Sequence, residues 1–418
     1  KHVINLTECD LLNACHRISL LCNKIKSKDI FNNPDLIRIK KIAPDQRSKH
    51  DISLRYILRE EIINNESSYI NELSKVKENI LFICNKNNVL SQLFVFIIMT
   101  LRDEESHIAY LINDLISQEY PLDKLEVIIV NDRSNDDTAA ILDDASNNYA
   151  FIKVITIDQI SKDMTPKKNA LTKGVEAAFG EIIVLTDADC RVGKLWVSSM
   201  AYSVMSKESI SIGFSEINPQ HESFFHRYQK IDFLSIIIAN AGFSGWGLFW
   251  SGTGQNLAFF KRDFEKIGGF EKVKDRISGD DMYLVQSISK LKPAILHIDP
   301  NSFVKTSAMG SVNDFFNQRI RWSSNAKLTL GNEPLFFGFL ITTISFNLLI
   351  IGSLLIGNEW IGLMTIKVVF DGLAVFLGSK LFNRTMDFPA YCLWAILQPL
   401  YIPLIGFLGI RGKFTWKP

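Results

Sequence analysis

The pattern of apolar and polar positions divides the chain into three stretches. Over residues 1–92, charges of both signs are interleaved with Lys, Asn and Ile. Ile63, Ile70, Leu73, Val76 and Ile80 keep roughly helical spacing there, which predicts at least one amphipathic helix. No chemistry is visible in this stretch, and an accessory or docking region is the expectation. From Leu93, short apolar runs alternate with longer amphipathic ones. Residues 94–99, 127–130, 154–157 and 182–185 read as buried strands, and residues 104–117, 136–145 and 166–179 as helices between them. Such alternation builds an α/β fold around a mostly parallel sheet with helices on both faces.

The next part is mixed. Residues 220–241 are amphipathic and aromatic, a Gly/Trp stretch covers 242–254, and 256–260 reads as a strand. A polar turn at 278–281 leads into a helix through Ser289, and 312–327 is a further helix. After that the expected solvent changes. Residues 335–357 hold no charge and exceed the ~20 apolar residues that cross a bilayer. Residues 360–381 are similar but contain Lys367 and Asp371, four apart on one helical face, where they can pair. Residues 388–410 are uncharged but carry Pro399 and Pro403, so a re-entrant or interfacial hairpin is expected instead of a simple crossing. The divisions expected are an accessory region (1–92), a catalytic domain (93–330) and a membrane region of two or three helices (331–418).

Charge sets the orientation. Arg319, Arg321 and Lys327 precede the first candidate span, Asn358 and Glu359 at the next turn carry no positive charge, and Lys380 and Arg384 follow the second span. By the positive-inside rule the polar body is cytoplasmic and the protein an integral, multi-pass one. A third crossing would carry Arg411, Lys413 and Lys417 outward. Lys and Arg total 46 against 45 Asp and Glu, so bulk charge argues against a nucleic-acid partner. Six cysteines, at 9, 15, 22, 84, 190 and 392, show no Cys-x-x-Cys spacing; neither a disulfide framework nor a zinc site is expected. No charged-then-apolar leader is read in the opening residues.

The candidate chemistry falls on loops at strand ends, where open α/β sheets bind ligands. The run 182–185 stops at Asp187 and Asp189, alternate residues that can face one way. Two hard oxygen ligands suit Mg²⁺ or Mn²⁺ shared with nucleotide phosphates. Thr100, Arg102 and Glu104 follow the first strand. Asp132, which can accept from a base or ribose, follows the second, with Asp136 placed to cap a helix. Lys167 and Lys168 stand at a helix start, where lysines meet phosphate; Lys168 is the candidate contact.

With these residues in order, the chain resembles the inverting family 2 glycosyltransferases of GT-A fold. Within them it is similar to the membrane-bound branch of cellulose, chitin, hyaluronan and poly-N-acetylglucosamine synthases. Asp132 matches the nucleoside-binding Asp, Asp187-Ala188-Asp189 the metal motif, and Ser278-Gly279-Asp280-Asp281 the Thr-Glu-Asp stretch, which makes Asp281 the general base. Gln318-x-x-Arg321-Trp322 reproduces Gln-x-x-Arg-Trp, and Gly252–Ala258, with Gly254, the segment lining the sugar and acceptor pocket. The resemblance implies a nucleotide-sugar donor, UDP-linked, and a glycan acceptor extended processively on a β-linked product. A single transfer to a lipid acceptor is the rival, and a catalytically silent scaffold is the rival from another class. Three departures stand out. Arg133 takes a Gly position, Asp280 replaces Glu, and no apolar span precedes Leu93 where the family has one or two.

Three expectations follow for the structure. Asp187 and Asp189, with only Arg191 nearby in sequence to balance them, need a cation. Arg321 and Lys168 neutralise the leaving diphosphate, and Trp322 offers a flat face to an acceptor sugar. Asp281 begins a helix, whose N-terminus should lower its proton affinity.

Overall fold

The computed structural model describes residues 93–218, 223–326 and 333–412; the helix expected over 63–80 and the cysteines before residue 85 lie outside them. The described residues from Leu93 onward form one compact unit. Strands β1 (Val95–Leu101), β2 (Leu125–Asp132), β3 (Ile152–Ile157) and β4 (Ile182–Leu185) alternate with helices α1 (Glu105–Ile116), α2 (Thr138–Asn148) and α3 (Pro166–Ala177). β1, β2 and β4 are almost wholly buried, which is why their sequences are continuous apolar runs without alternation. β1 lies between β2 and β4, parallel to both, with Ile98 opposite Ile128 and Leu185. The chain therefore winds outward to β3 and returns to the other side of β1. That reversal opens a crevice at the carboxyl ends of β1 and β4.

Beyond β4 the sheet becomes mixed, in the order β3-β2-β1-β4-β8-β6-β9. β8 (Leu257–Phe260) runs antiparallel to β4 and to β6 (Ile210–Gly213), and β9 (Ala294–His297) parallel to β6. A smaller sheet joins β5 (Cys190–Val192), β10 (Val304–Thr306) and β7 (Ser215–Ile217). Between them runs α4 (Trp196–Lys207), to which the sequence pattern assigns no element. Eight of its twelve residues are buried, among them Ser198, Ser199 and Ser203, so it shows no polar stripe from which to read a helix. The α/β architecture around a mostly parallel sheet, followed by apolar helices, is the one the sequence pattern predicts.

Helix α5 (Phe224–Gly245) and, after α6 (Lys261–Lys266) and α7 (Asp280–Ser289), helix α8 (Val312–Ser323) carry the aromatic residues. They receive the apolar helices α9 (Pro334–Ile356), α10 (Glu359–Leu381) and α11 (Phe388–Arg411), each long and apolar enough to cross a membrane. One hydrophobic cluster takes Tyr228 and Ile231 from α5, Phe315 and Ile320 from α8, Val375 from α10, and Tyr391, Trp394 and Tyr401 from α11.

α11 is continuous, so the hairpin expected at Pro399 and Pro403 does not form; both prolines lie inside the helix. Each proline removes one backbone hydrogen bond, and packing compensates. Tyr391, Trp394, Gln398, Tyr401, Ile405 and Gly409 make a buried stripe that runs past both prolines. The stripe rests on the polar body at both ends. Asp387 forms a two-pronged ion pair with Arg227 of α5 (2.6 and 2.7 Å), and a Cβ on Gly409 would come 2.5 Å from Ser323 Oγ of α8.

Candidate active site

The crevice at the carboxyl ends of β1, β2 and β4 opens into a cavity of about 1970 Å³. Thr100, Arg102, Glu104, Asp132, Asp187, Asp189, Gly254, Asp280, Asp281, Gln318, Arg321 and Trp322 all line it. Residues as far apart in sequence as Thr100 and Trp322 are thus brought to one space. Lys168 is the exception. It is buried, and its ammonium donates to the Arg276 carbonyl. The adjacent Lys167 points into the cavity instead, because neighbouring residues on a helix lie about 100° apart.

In space the Asp-x-Asp pair has a basic neighbour, Lys167, that lies far from it in sequence. Arg191 is held by Asp114 (2.6 and 2.7 Å). Lys167 Nζ lies 3.3 Å from Asp187 and 3.6 Å from Asp280. Burial disfavours its charge, but Asp187, Asp280 and Asp281 together raise its pKa above the ordinary lysine value. Asp189 accepts a hydrogen bond from Thr306 Oγ1 (3.0 Å), which in turn accepts from Gln255 Nε2 (3.0 Å). Burial, then the charge of Asp187, pushes the Asp189 carboxyl up to about 6. A divalent ion would relieve that repulsion, so the pair fits one in chemistry. Among the described residues no group of three or more His, Cys, Asp or Glu could hold a metal, so other ligands would have to complete the shell.

Asp132 is gripped by its neighbour. Arg133 donates to both of its oxygens (2.8 and 3.0 Å). Arg133 has φ of +59°, so it adopts the left-handed conformation that glycine takes more easily. The two acidic loops are stitched together: Asp136 accepts from the first amides of both α1 and α2, Glu105 (3.1 Å) and Thr138 (3.1 Å). Asp136 thus serves both helix starts.

The opposite wall is α7 with the Gly-rich segment. Gly279, with φ of +85°, turns the chain so that α7 begins with Asp280 and Asp281 inside the cavity. Both carboxylates face it, and they differ by partner. Burial works against the Asp280 charge, but Lys167 and Lys168 hold its carboxyl below the usual range. Among the described residues Asp281 accepts hydrogen bonds only from amides, those of Gly254 (3.3 Å) and Met282 (2.8 Å). Burial and then the charge of Asp280 push Asp281 up to about 6. The helix N-terminus was expected to lower it; burial beside a second carboxylate wins. Two residues on from Gly254, the fully buried Asn256 accepts from Trp196 Nε1 (3.0 Å) and donates to the Phe214 and Ser302 carbonyls.

α8 supplies the cationic edge. Arg321 is lowered to about 10 by burial, against the pull of Asp280, Asp281 and Asp187. Trp322 is half-buried between the cavity and Phe233, with the Arg319 guanidinium 4.3 Å from its ring centre. Arg319 also donates to Gln318. The arrangement holds, in one space, two carboxylates fit for a cation, two basic side chains fit for a diphosphate, and a carboxylate fit to accept a proton.

The profile described as Glycosyl transferase family 2 matches residues 96–268. These residues form a family 2 glycosyltransferase domain. Asp280, Asp281 and the α8 motif lie just beyond the match. The chain is 25% identical over 232 residues to the probable glycosyltransferase YdaM of Bacillus subtilis, covering 55% of this chain and 54% of that protein. It is 35% identical over 99 residues to a beta-monoglucosyldiacylglycerol synthase of Trichormus variabilis, covering 24% and 21%. It is 33% identical over 93 residues to a 4,4'-diaponeurosporenoate glycosyltransferase of Staphylococcus aureus, covering 22% and 23%. The chain thus spans about half the length of the first relative and under a quarter of the other two. Among solved structures, the mannosyltransferase PcManGT of Pyrobaculum calidifontis, in complex with GDP-Man and Mn2+, aligns with a TM-score of 0.49 at 18% identity, covering 77% of this chain and 88% of that one.

Proposed function

We propose that the protein transfers a sugar, with inversion, from a nucleoside diphosphate sugar, UDP-linked, to an acceptor hydroxyl at a membrane. The catalytic part is residues 93–330, the membrane region 331–418 and the accessory region 1–92. The observation that carries this reading is Asp281, a carboxylate raised to about 6 in the cavity that also holds Asp187, Lys167 and Arg321. A base with a pKa just below neutral is ionised at working pH yet still accepts a proton readily.

In this mechanism Asp132, with Thr100, Arg102 and Glu104, receives the nucleoside. Asp187 and Asp189 would hold Mg²⁺ or Mn²⁺, which when bound neutralises charge on the diphosphate. Lys167 and Arg321 add positive charge where the leaving group departs. Asp281 takes the proton of the acceptor hydroxyl as that oxygen attacks the anomeric carbon, and the bond to the diphosphate breaks on the opposite face. Gln318 and Trp322 border the acceptor side. Incubating membranes with a panel of labelled nucleotide sugars, followed by mass spectrometry of the product, tests the reading; no incorporation from any donor would end it.

Chelation is expected to weaken UDP binding at least several-fold and re-added Mn²⁺ to restore it, read by calorimetric titration. Equal affinity in both conditions would remove the metal. Lys167 beside Asp187 predicts that some affinity survives chelation.

The acceptor reading shifts toward a lipid. Two relatives are named for a monoglucosyldiacylglycerol product and a diaponeurosporenoate acceptor, and these names favour an apolar acceptor over a growing glycan. A cytoplasmic body is supported by the charge pattern. The turn between α10 and α11 is also tied to it through Arg384 on Glu216 (2.5 and 2.8 Å). Because α11 rests on the body at both ends, its far end is expected on the same side. A cysteine at Arg411 should resist impermeant maleimide in intact cells and react in inverted vesicles; labelling from outside would place a crossing there.

A further inference from the structure

The cavity is about 1970 Å³, well above the ~300–1,000 Å³ of ordinary small-molecule pockets, so it holds more than a nucleotide sugar. Its walls change character past Trp322. There the lining comes from Phe339 and Thr343 of α9, Ala374 and Leu377 of α10, and Ile402 and Ile405 of α11. The polar groups on this side are engaged with the protein itself. Lys367 pairs with Asp371 and donates to Gln398 Oε1 (2.7 Å), and the Thr343 hydroxyl donates to the Phe339 carbonyl (2.9 Å). A glycan in this space would leave hydroxyls without partners, which is costly. A hydrocarbon chain asks for none. The Lys367–Gln398 bond also ties α10 to α11, which fixes one wall of the space.

We propose that the apolar chain of a lipid acceptor lies in this part of the cavity, between α9, α10 and α11, with its head group reaching past Trp322 to Asp281. The inference rests on the glycosyl-transfer reading and adds to it the place and chemistry of the acceptor's tail. The chain enters from the bilayer and never crosses water, while the donor arrives from the aqueous side at the strand ends. The two substrates thus approach along one continuous cavity from opposite solvents.

The test uses the full chain in phosphatidylcholine vesicles and a probe, a hexadecyl chain with a mid-chain diazirine and a hydroxyl head. After photolysis, crosslinked peptides are read by mass spectrometry. Saturable labelling is expected on the cavity-facing residues of α9, α10 and α11, competed at least five-fold by unlabelled hexadecanol. Labelling of outward residues such as Phe370 and Leu404 should stay proportional to probe concentration. Ala374→Trp on one wall and Thr343→Trp on another should each cut the saturable part several-fold in protein whose melting temperature matches the parent. Non-saturable labelling throughout, or saturable labelling unchanged in a folded variant, would overturn the proposal. The outcomes separate the two readings. Sugar transfer without saturable labelling sinks the tail site alone, whereas saturable labelling without transfer from any nucleotide sugar sinks the enzymatic reading.

Discussion

Asp281→Asn is expected to lower turnover by ~10²–10⁴-fold, the usual contribution of a positioned acid or base, with nucleotide affinity nearly unchanged. The argument is one of partners. Asp281 is held by two neutral amides, whereas Asp280 faces Lys167 at 3.6 Å and is kept below the ordinary carboxylate range. A carboxylate engaged by an ammonium is a poor proton acceptor. Asp280→Asn should therefore act mainly on donor affinity, by releasing Lys167. The pH profile supplies a second readout. Asp281 must be ionised to work, so turnover should fall as pH drops through about 6 and level off above it. Near-normal turnover in Asp281→Asn, with Asp280→Asn inactive, would move the base by one residue.

The second large effect is on stability. Arg319 and Asp232 are both buried and meet at 2.6 Å. Asp232 also accepts from Trp394 Nε1 of α11 (3.1 Å), and the guanidinium lies over Phe315 (4.6 Å) and Trp322 (4.3 Å). Removing one partner of such a pair costs about 3–5 kcal/mol, because the other charge stays buried. Arg319→Met should therefore lose much of a margin that is only ~5–15 kcal/mol for ordinary proteins. Arg319→Met with Asp232→Leu removes both charges and should recover most of the loss. Thermal unfolding in detergent checks both. A double variant no more stable than the single one would show that the ion pair is not the source. If the double variant is stable but transfers sugar poorly, Arg319 positions Gln318 and Trp322.

How much of this is legible in the chain depends on the element. β1, β2 and β4 hold runs of at least four apolar residues, and helices separate β1 to β4, so their pattern identifies them. β5, β7 and β10 have only three residues each, too few for any periodicity, and α4 is buried on most sides. Of the residues the sequence offers as nucleotide, metal, acceptor or base candidates, all but Lys168 line one cavity, so their places at strand ends and helix starts are legible in the chain. The error at Lys168 has a plain cause. Adjacent lysines at a helix start are equivalent in sequence, and only the angle at which α3 meets β1 and β2 decides which one faces the site. The proline pair misled for a related reason. Prolines reveal the missing hydrogen bonds of α11 but not the packing surface of α5 and α8 that compensates for them.

That shared packing has a practical side. Phe315, Ile320, Tyr228 and Ile231 find their partners on α10 and α11, so a chain stopped near Ala326 would present these aromatic and aliphatic side chains to water. Such a truncated product is expected to precipitate or to require detergent even though every apolar helix has been removed. Solubility on expression should instead be sought by keeping α9 to α11 and extracting the whole unit, with its bilayer-facing surface, into a micelle or nanodisc.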